Sequence, residues 1–582
     1  MSRTHRAQDP PGEDPARGPG KGAGRGLPRE RTWAVLLLAL HLGLIAWGAL
    51  RNSVTFDENF HLPAGVLIVA RGDYSASRAQ PPLAKALCAL PVVALGAQLP
   101  AEEAIRQADE AAVGESFMRR NADRYHALFF AGRMVTALLS ALLALLVWGA
   151  ARRRWGARGG LFALGLYALA PEALAHAGLV GMDMPTALTM TAAVLAFARF
   201  CRLGTWGAWA WLALAVAAAF LTRISAAQLA PILVLLALVG TATRRIARPG
   251  RVWLGLVLLA PVVWAALALG YAGQLYTGPL SALPFRADAF QRLARALPGL
   301  HVFLPTAYLS GLDYVASFSQ PGLIHPYLLG RTLERGAWYY FPLALLFKWP
   351  LGFLGAVALA KAALFFRRGL GREWWEETLL LLPAVVMLGA AMAATSLGVG
   401  VRYLLPILPL LCIWAGSVML ERPGARGMSG WAKAAVALAL LLAVETGLAA
   451  PWHLSFFNWP SGGPGGGYRL VNDSNVDWGQ GLIALRDEMR ERGIARVHLA
   501  YHGTTDPAVY GIDYVPYLGG TPGPESEWLA VSSYYFVGLN QRMMTREGRT
   551  RPIAIDFSPL RDVTPVARPA GCMHLFSLRG LR

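Results

Sequence analysis

Apolar residues recur along most of the chain in runs too long and too uniform for an amphipathic surface helix. A bilayer core takes roughly 20 apolar residues to cross as a helix, and on that length rule the sequence predicts about eleven membrane helices. They fall near 33–50, 125–149, 159–177, 184–200, 206–222, 226–241, 252–271, 341–366, 375–396, 403–420 and 431–450. Arg223 interrupts the short fifth and sixth runs. Three stretches break the pattern. Residues 51–124 and 272–340 mix polar and aromatic positions, and from 451 onward the composition changes sharply. In the first, "PPLAKALCALPVVALGAQL" is apolar but punctuated by Pro81, Pro82 and Pro91, which predicts a helix lying in the interface. A polar helix follows it over 101–128. In the last, "YRLVNDSNVDWGQGLIALRDEMRERGIARVHLAYHG" reads as strand, turn, helix, strand, with Gly493 ending the helix. Further strands are expected at "EWLAVSSYYFVGL" and "CMHLFSLR", which makes a small α/β domain joined through the linker "SGGPGGG".

Composition sharpens this picture. Of 582 residues, 55% are hydrophobic and 15% charged, too few charges to cover a soluble protein of this size. The fold class is a polytopic α-helical membrane protein. The net charge of +19 would raise nucleic acid as a partner of a soluble chain. Here the arginines cluster in short alternate loops, "ARRRWGAR", "ARFCR", "TRRIARPGR", "FFRRGLGR" and "ERPGAR". That is the signature of the cytoplasmic side of a membrane protein, so no nucleic acid is expected. Residues 1–32, rich in Pro, Gly and Arg, are expected to be a disordered cytoplasmic tail. A membrane domain would span 33–450, with its first external loop at 51–124. An odd number of helices leaves the 451–582 domain outside. The four cysteines show neither zinc spacing nor a disulfide framework.

Candidate chemistry gathers on the outer side. "SVTFDENFHLPAG" places Asp57 and Glu58 just past the first membrane helix. Side chains of adjacent residues diverge in helix and strand alike, so the two acids cannot serve as one symmetric pair. One should face the reactive site and the other hold the backbone or a basic partner. His61 shares the face of Asp57 if the segment is helical, with Pro63 in the first turn and Gly72 as its stop. Asp183, in "LVGMDMPTAL", lies at the outer end of the third and fourth runs. An ionisable group at that depth is functional or paired. Arg223, Arg331, Lys348 and Arg402 are the outer-side cations suited to a lipid phosphate. No HExxH zinc motif, phosphate loop or Gly-x-Ser-x-Gly elbow occurs.

Several blocks together resemble the lipid-carrier-dependent glycosyltransferases of the GT-C class, in particular the protein O-mannosyltransferases and lipid A aminoarabinose transferases. They are "TFDENFHLPAGVLIVARGDYSASRAQPPLAKAL", "ALAPEALAHAGLVGMDMPTAL", "GAWYYFPLALLFKWPLGFL", "GVRYLLPILPLL" and "HLSFFNWPSGGPGGGYRLVNDSNVDWGQGLIAL". The resemblance implies a GT-C fold and transfer of a sugar from a polyprenyl-phosphate carrier to an acceptor protein, lipid or glycan, at the outer face of a bacterial inner membrane. It makes Asp57 the favoured catalytic carboxylate, with Glu58 and Asp183 lining the same cavity. Relatives often carry His or Lys just before the first-loop Pro. This chain has Gln80, so charge for the carrier phosphate must come from elsewhere, with Lys85, Lys348 and Arg402 as candidates. The chemistry expected is a single inverting displacement. A carboxylate takes the acceptor proton, and Lys or Arg stabilises the departing phosphate. No cofactor is expected. A divalent ion held by Asp57, His61 and Asp183 is a minor reading. The rival from another class is a carrier or flippase for lipid-linked sugars. It would need the same cations but not the carboxylate pair.

Overall fold

The computed structural model describes residues 29–579 apart from 77–78, 108, 319–324, 335, 367–369, 395–397, 399, 421–426, 540–541, 545–549 and 553–555. The N-terminal tail expected to be disordered lies almost wholly outside the described residues.

Each of the eleven apolar runs is largely helical, but they divide differently from the expectation. By length and composition, seven described helices are long and apolar enough to cross a membrane, and a bent pair brings the number to eight. The runs expected at 125–149 and 159–177 begin as one helical stretch, Tyr125–Ala168, broken at Gly156, whose φ of 77° only glycine adopts freely. Beyond Gly156 the chain folds back: a Cβ at Gly160 would lie 3.1 Å from Cα of Arg152, eight residues earlier. The arginine-rich "ARRRWGAR" therefore forms the tip of a helical hairpin. The helix pair Tyr340–Lys348 and Leu351–Phe366 bends by 111°. Pro350 stands at the break and disfavours helical geometry in the residue before it. The amide of Asn458 holds the exposed end of the first half by donating to the carbonyls of Leu346 and Trp349. Trp206–Thr222 and Ile407–Met419 are apolar but shorter than a full span. Arg223 is extended and joins Thr222 to the helical stretch that follows.

The stretch expected to lie in the interface forms the helix Leu83–Ala94. It packs against Glu58–Arg71, where Gly65 has no room for a side chain beside the carbonyl of Lys85. Glu58–Arg71 ends at Gly72 in the left-handed conformation, as expected. It begins earlier than expected, which puts Pro63 in the second turn rather than the first. The polar stretch after it forms two short helices, Glu102–Gln107 and Glu110–Arg120, rather than one.

The C-terminal region, from residue 451 onward, has a four-stranded sheet. Val497–Ala500 lies between Tyr514–Pro516 and Trp528–Ser532, both parallel to it, and Met573–Ser577 closes the far edge antiparallel. The helix Leu482–Glu491 and the strands at 497, 528 and 573 follow the sequence pattern. Among the described residues of 451–481 no strand precedes that helix, and Val471 makes only an isolated bridge to Leu328. Gly467–Arg469 and Asp473–Asn475 form short helical turns, and the amides of Asn472 and Asn475 fold the backbone locally by donating to the carbonyls of Tyr468 and Asn472. The "SGGPGGG" stretch is a packed turn rather than an extended linker: Gly467 sits where any Cβ would strike the Phe457 ring.

Candidate active site

The peptide after the first membrane helix, Asn52–Asp57, is threaded through hydrogen bonds to the C-terminal domain. The N–H groups of Ser53 and Phe56 donate to the carbonyls of Gln480 and Trp478, at 3.0 and 2.8 Å. The Ser53 hydroxyl donates to the Gly479 carbonyl and accepts from the N–H of Leu482. Thr504 closes the other side through the Phe56 carbonyl. The "DSNVDWGQ" block thus holds the segment that presents the two acids.

Asp57 and Glu58 diverge completely. Glu58 is buried (side chain 1% exposed) and forked onto Arg133, with oxygens 2.8 and 2.6 Å from Nε and Nη2. Its carboxylate also accepts from the N–H and hydroxyl of Thr55 and from the N–H of Val180. Burial alone would raise this carboxyl, but Arg133 and the backbone donors outweigh it and hold Glu58 below its usual value. Arg133 in turn donates to the carbonyls of Ala49, Asn52 and Ser53. All five N–H groups of Arg133 and both oxygens of Glu58 are directed at protein.

Asp57 stands at the start of the helix but does not cap it. Its side chain, 29% exposed, reaches Nη1 of Arg402 at 2.9 Å. The same Nη1 is 3.7 Å from Asp183, which is bonded to Arg223 through its other oxygen. Two carboxylates and two guanidiniums thus alternate in a chain. The Trp478 ring lies 4.1 Å beneath the Arg402 guanidinium, and Tyr403 faces both arginines at 4.7 and 5.3 Å. Among the described residues Nε of Arg402 is buried with no hydrogen-bond acceptor, which leaves donor capacity for an added anion.

The remaining expected residues divide. Gln80 sits beside this chain and accepts, at 3.4 Å, from the N–H of Ile224. His61 donates its backbone N–H to the Asp57 carbonyl. Its Nδ1 is buried without a partner, and burial brings the imidazole down to about 4, against the pull of Asp57. Lys85 is wholly buried on the adjacent helix. Lys348 is committed elsewhere: Nζ donates to the carbonyls of Leu454 and Asn475 at 2.8 and 2.7 Å and lies 3.5 Å from Glu172. Arg331 is exposed in a two-stranded ribbon, Tyr327–Leu328 with Arg331–Thr332, and no described contact joins it to Asp57. Among the described residues, no group of three or more His, Cys, Asp or Glu side chains is arranged to hold a metal.

Sequence reasoning passed over two residues here. Trp478 and Asp473 both come from "DSNVDWGQ". That block was visible as a motif, but nothing in its spacing tells that it folds back onto the first loop.

Residues 125–267 match the family model described as dolichyl-phosphate-mannose-protein mannosyltransferase. No curated protein matches the chain. Among solved structures, ArnT from Cupriavidus metallidurans bound to undecaprenyl phosphate is 16% identical, with a TM-score of 0.45, covering 82% of this chain and 74% of that one. The archaeal oligosaccharyltransferase AglB from Archaeoglobus fulgidus, in complex with an inhibitory peptide and a dolichol-phosphate, is 13% identical, with a TM-score of 0.43, covering 91% and 75%. The protein is a multi-pass helical membrane protein, and across residues 125–267 it resembles the dolichyl-phosphate-mannose-protein mannosyltransferases.

Proposed function

We propose that the protein is an inverting GT-C glycosyltransferase that moves a sugar from a polyprenyl-phosphate donor to an acceptor hydroxyl, at the outer face of a bacterial inner membrane. The observation that carries this reading is the half-open Asp57 carboxylate paired with Arg402, beside Asp183 and Arg223. The donor phosphate is an anion and competes with Asp57 for Arg402, whose Nε has an unused proton. As the phosphate takes the guanidinium, Asp57 is released to act as a base. The acceptor hydroxyl gives its proton to Asp57, and its oxygen bonds to the anomeric carbon. The bond from that carbon to the phosphate oxygen breaks, and the electron pair stays on the phosphate, where Arg402 and Arg223 stabilise it. Glu58 has no place in these steps. Its role is to fix the peptide that carries Asp57, through Arg133. Lys348 likewise braces the chain after the helix Gly430–Ala449, through the carbonyls of Leu454 and Asn475, and the phosphate charge is left to the two arginines and Lys85.

The test is transfer by Asp57→Asn in reconstituted membranes. General-base catalysis is worth on the order of 10²–10⁴ in rate, so turnover should fall by that factor in a protein that still folds. Near-normal turnover would sink the assignment.

A further inference from the structure

Four acids around the site are matched with a cation. Asp57 faces Arg402, Asp183 faces Arg223 and Arg402, Glu58 faces Arg133, and Glu172 faces Lys348. Asp473 has no described ion pair. One carboxylate oxygen accepts from the N–H of its neighbour Ser474. The group is nevertheless close enough to Arg402 and Asp57 to feel both charges, and Tyr340 feels it in turn.

The backbone that presents it is held from both sides. Asp473 is a non-glycine residue in the left-handed conformation, with φ of 61°, a state that Asp and Asn tolerate better than most residues. Before it, the Asn472 amide donates to the carbonyls of Tyr468 and Ser533. After it, Asn475 accepts from the N–H of Val401, one residue from Arg402, and donates to the Tyr340 hydroxyl. Ser474 fills the space where a side chain at Gly400 would stand. The turn is thereby locked to the segment that carries Arg402. A half-buried carboxylate is costly to keep without a cation, and burial brings it up to about 6.

We propose that Asp473 is a substrate-binding carboxylate that accepts hydrogen bonds from a neutral hydroxyl, either of the sugar being moved or of its acceptor. An unpaired acid repels the carrier phosphate, so it does not belong to the phosphate subsite. A hydroxyl-bearing group is the partner that uses its spare lone pairs without adding negative charge. This rests on the glycosyltransferase reading and adds to it a sugar- or acceptor-binding role for the C-terminal domain.

The experiment uses the full-length protein and the Asp473→Asn and Asp473→Gly variants, both compatible with a positive φ. Purified protein is titrated with undecaprenyl phosphate and with undecaprenyl phosphate mannose. Transfer is followed as the mass of surface glycans in a strain lacking the gene and complemented with each variant. The expected result is a transfer loss of at least tenfold, with affinity for bare undecaprenyl phosphate within twofold of the native protein. If the mannose-bearing lipid also binds more weakly, Asp473 reads the donor sugar. If neither lipid affinity changes, it reads the acceptor. Unchanged transfer overturns the proposal, as does an equal loss of affinity for the bare phosphate. A native protein that restores no glycan overturns the glycosyltransferase reading itself, and this proposal with it.

Discussion

Two charge clusters begin at adjacent residues, and the contrast between them separates structure from chemistry. Around Glu58 and Arg133 everything is buried, and every polar side-chain atom of these two residues is answered by the protein. Around Asp57 and Arg402 the same charges meet a partly open space and one arginine proton goes unused. Residue type does not distinguish the clusters; completeness of hydrogen bonding does. A saturated cluster can only hold the fold, whereas an unsaturated one has capacity for a ligand.

The sharpest way to break this contrast is to unpair Glu58. Arg133→Met leaves a carboxylate buried without its cation, and such a loss typically costs about 3–5 kcal/mol. Unfolding in detergent should show this destabilisation, with transfer lost as the fold is lost. Adding Glu58→Gln to Arg133→Met removes the stranded charge and should recover part of the stability. Asp57→Asn should leave stability near native and remove transfer alone. If Arg133→Met unfolded normally, the closed cluster would not be structural.

Trp478 gives a smaller effect on the open side. Its ring supports the Arg402 guanidinium, while its backbone carbonyl holds Phe56. Trp478→Leu keeps the backbone bond and removes the ring. A desolvated cation–π contact is worth about 2 kcal/mol, so undecaprenyl phosphate should bind roughly thirtyfold more weakly. Unchanged affinity would show that Arg402 is positioned by its carboxylates alone.

These two clusters also show how far the sequence could be read. Apolar run length located the membrane helices, because length and composition are local properties. It does not fix the number of full spans, because whether Trp206–Thr222 or Ile407–Met419 crosses depends on what packs around it. That Asp57 and Glu58 must diverge followed from backbone geometry, and they do. Which acid turns inward depended on Arg133, 75 residues away along the chain, and no local pattern reports that. Lys348 looked like a free cation among apolar neighbours. Its partners are the backbone carbonyls of Leu454 and Asn475 and the carboxylate of Glu172, all from segments far along the chain. The cis-acting motifs were legible, and the pairings between distant segments were not.

The smallest effect separates the membrane-side acid from an acid of the C-terminal domain by pH. Asp477 is buried like Glu58, but its carboxylate accepts only from neutral groups, the N–H groups of Gly479 and Tyr534 and the Ser532 side chain. Without a cation, burial wins and brings the group up to about 7, above the usual 3.8. The folded state then binds the proton more tightly than the unfolded state. Its stabilising contribution is complete below the unfolded value and is lost as pH rises from about 4 through about 7. Glu58 has the opposite sign. Its folded value is depressed, so its contribution is present above the unfolded value of 4.5 and is lost as pH falls through the lower folded value. Hydrogen exchange on the full-length protein should therefore show the strands Val497–Ala500 and Trp528–Ser532 less protected at pH 7.5 than at pH 5, after correction for intrinsic rates. Asp477→Asn keeps an acceptor for the Gly479 N–H and has no proton to lose, so it should flatten that slope while leaving the Glu58–Arg133 region unchanged. Equal slopes in the native and Asp477→Asn proteins would mean that hydrogen bonds from neutral groups stabilise the Asp477 carboxylate as well as Arg133 stabilises Glu58.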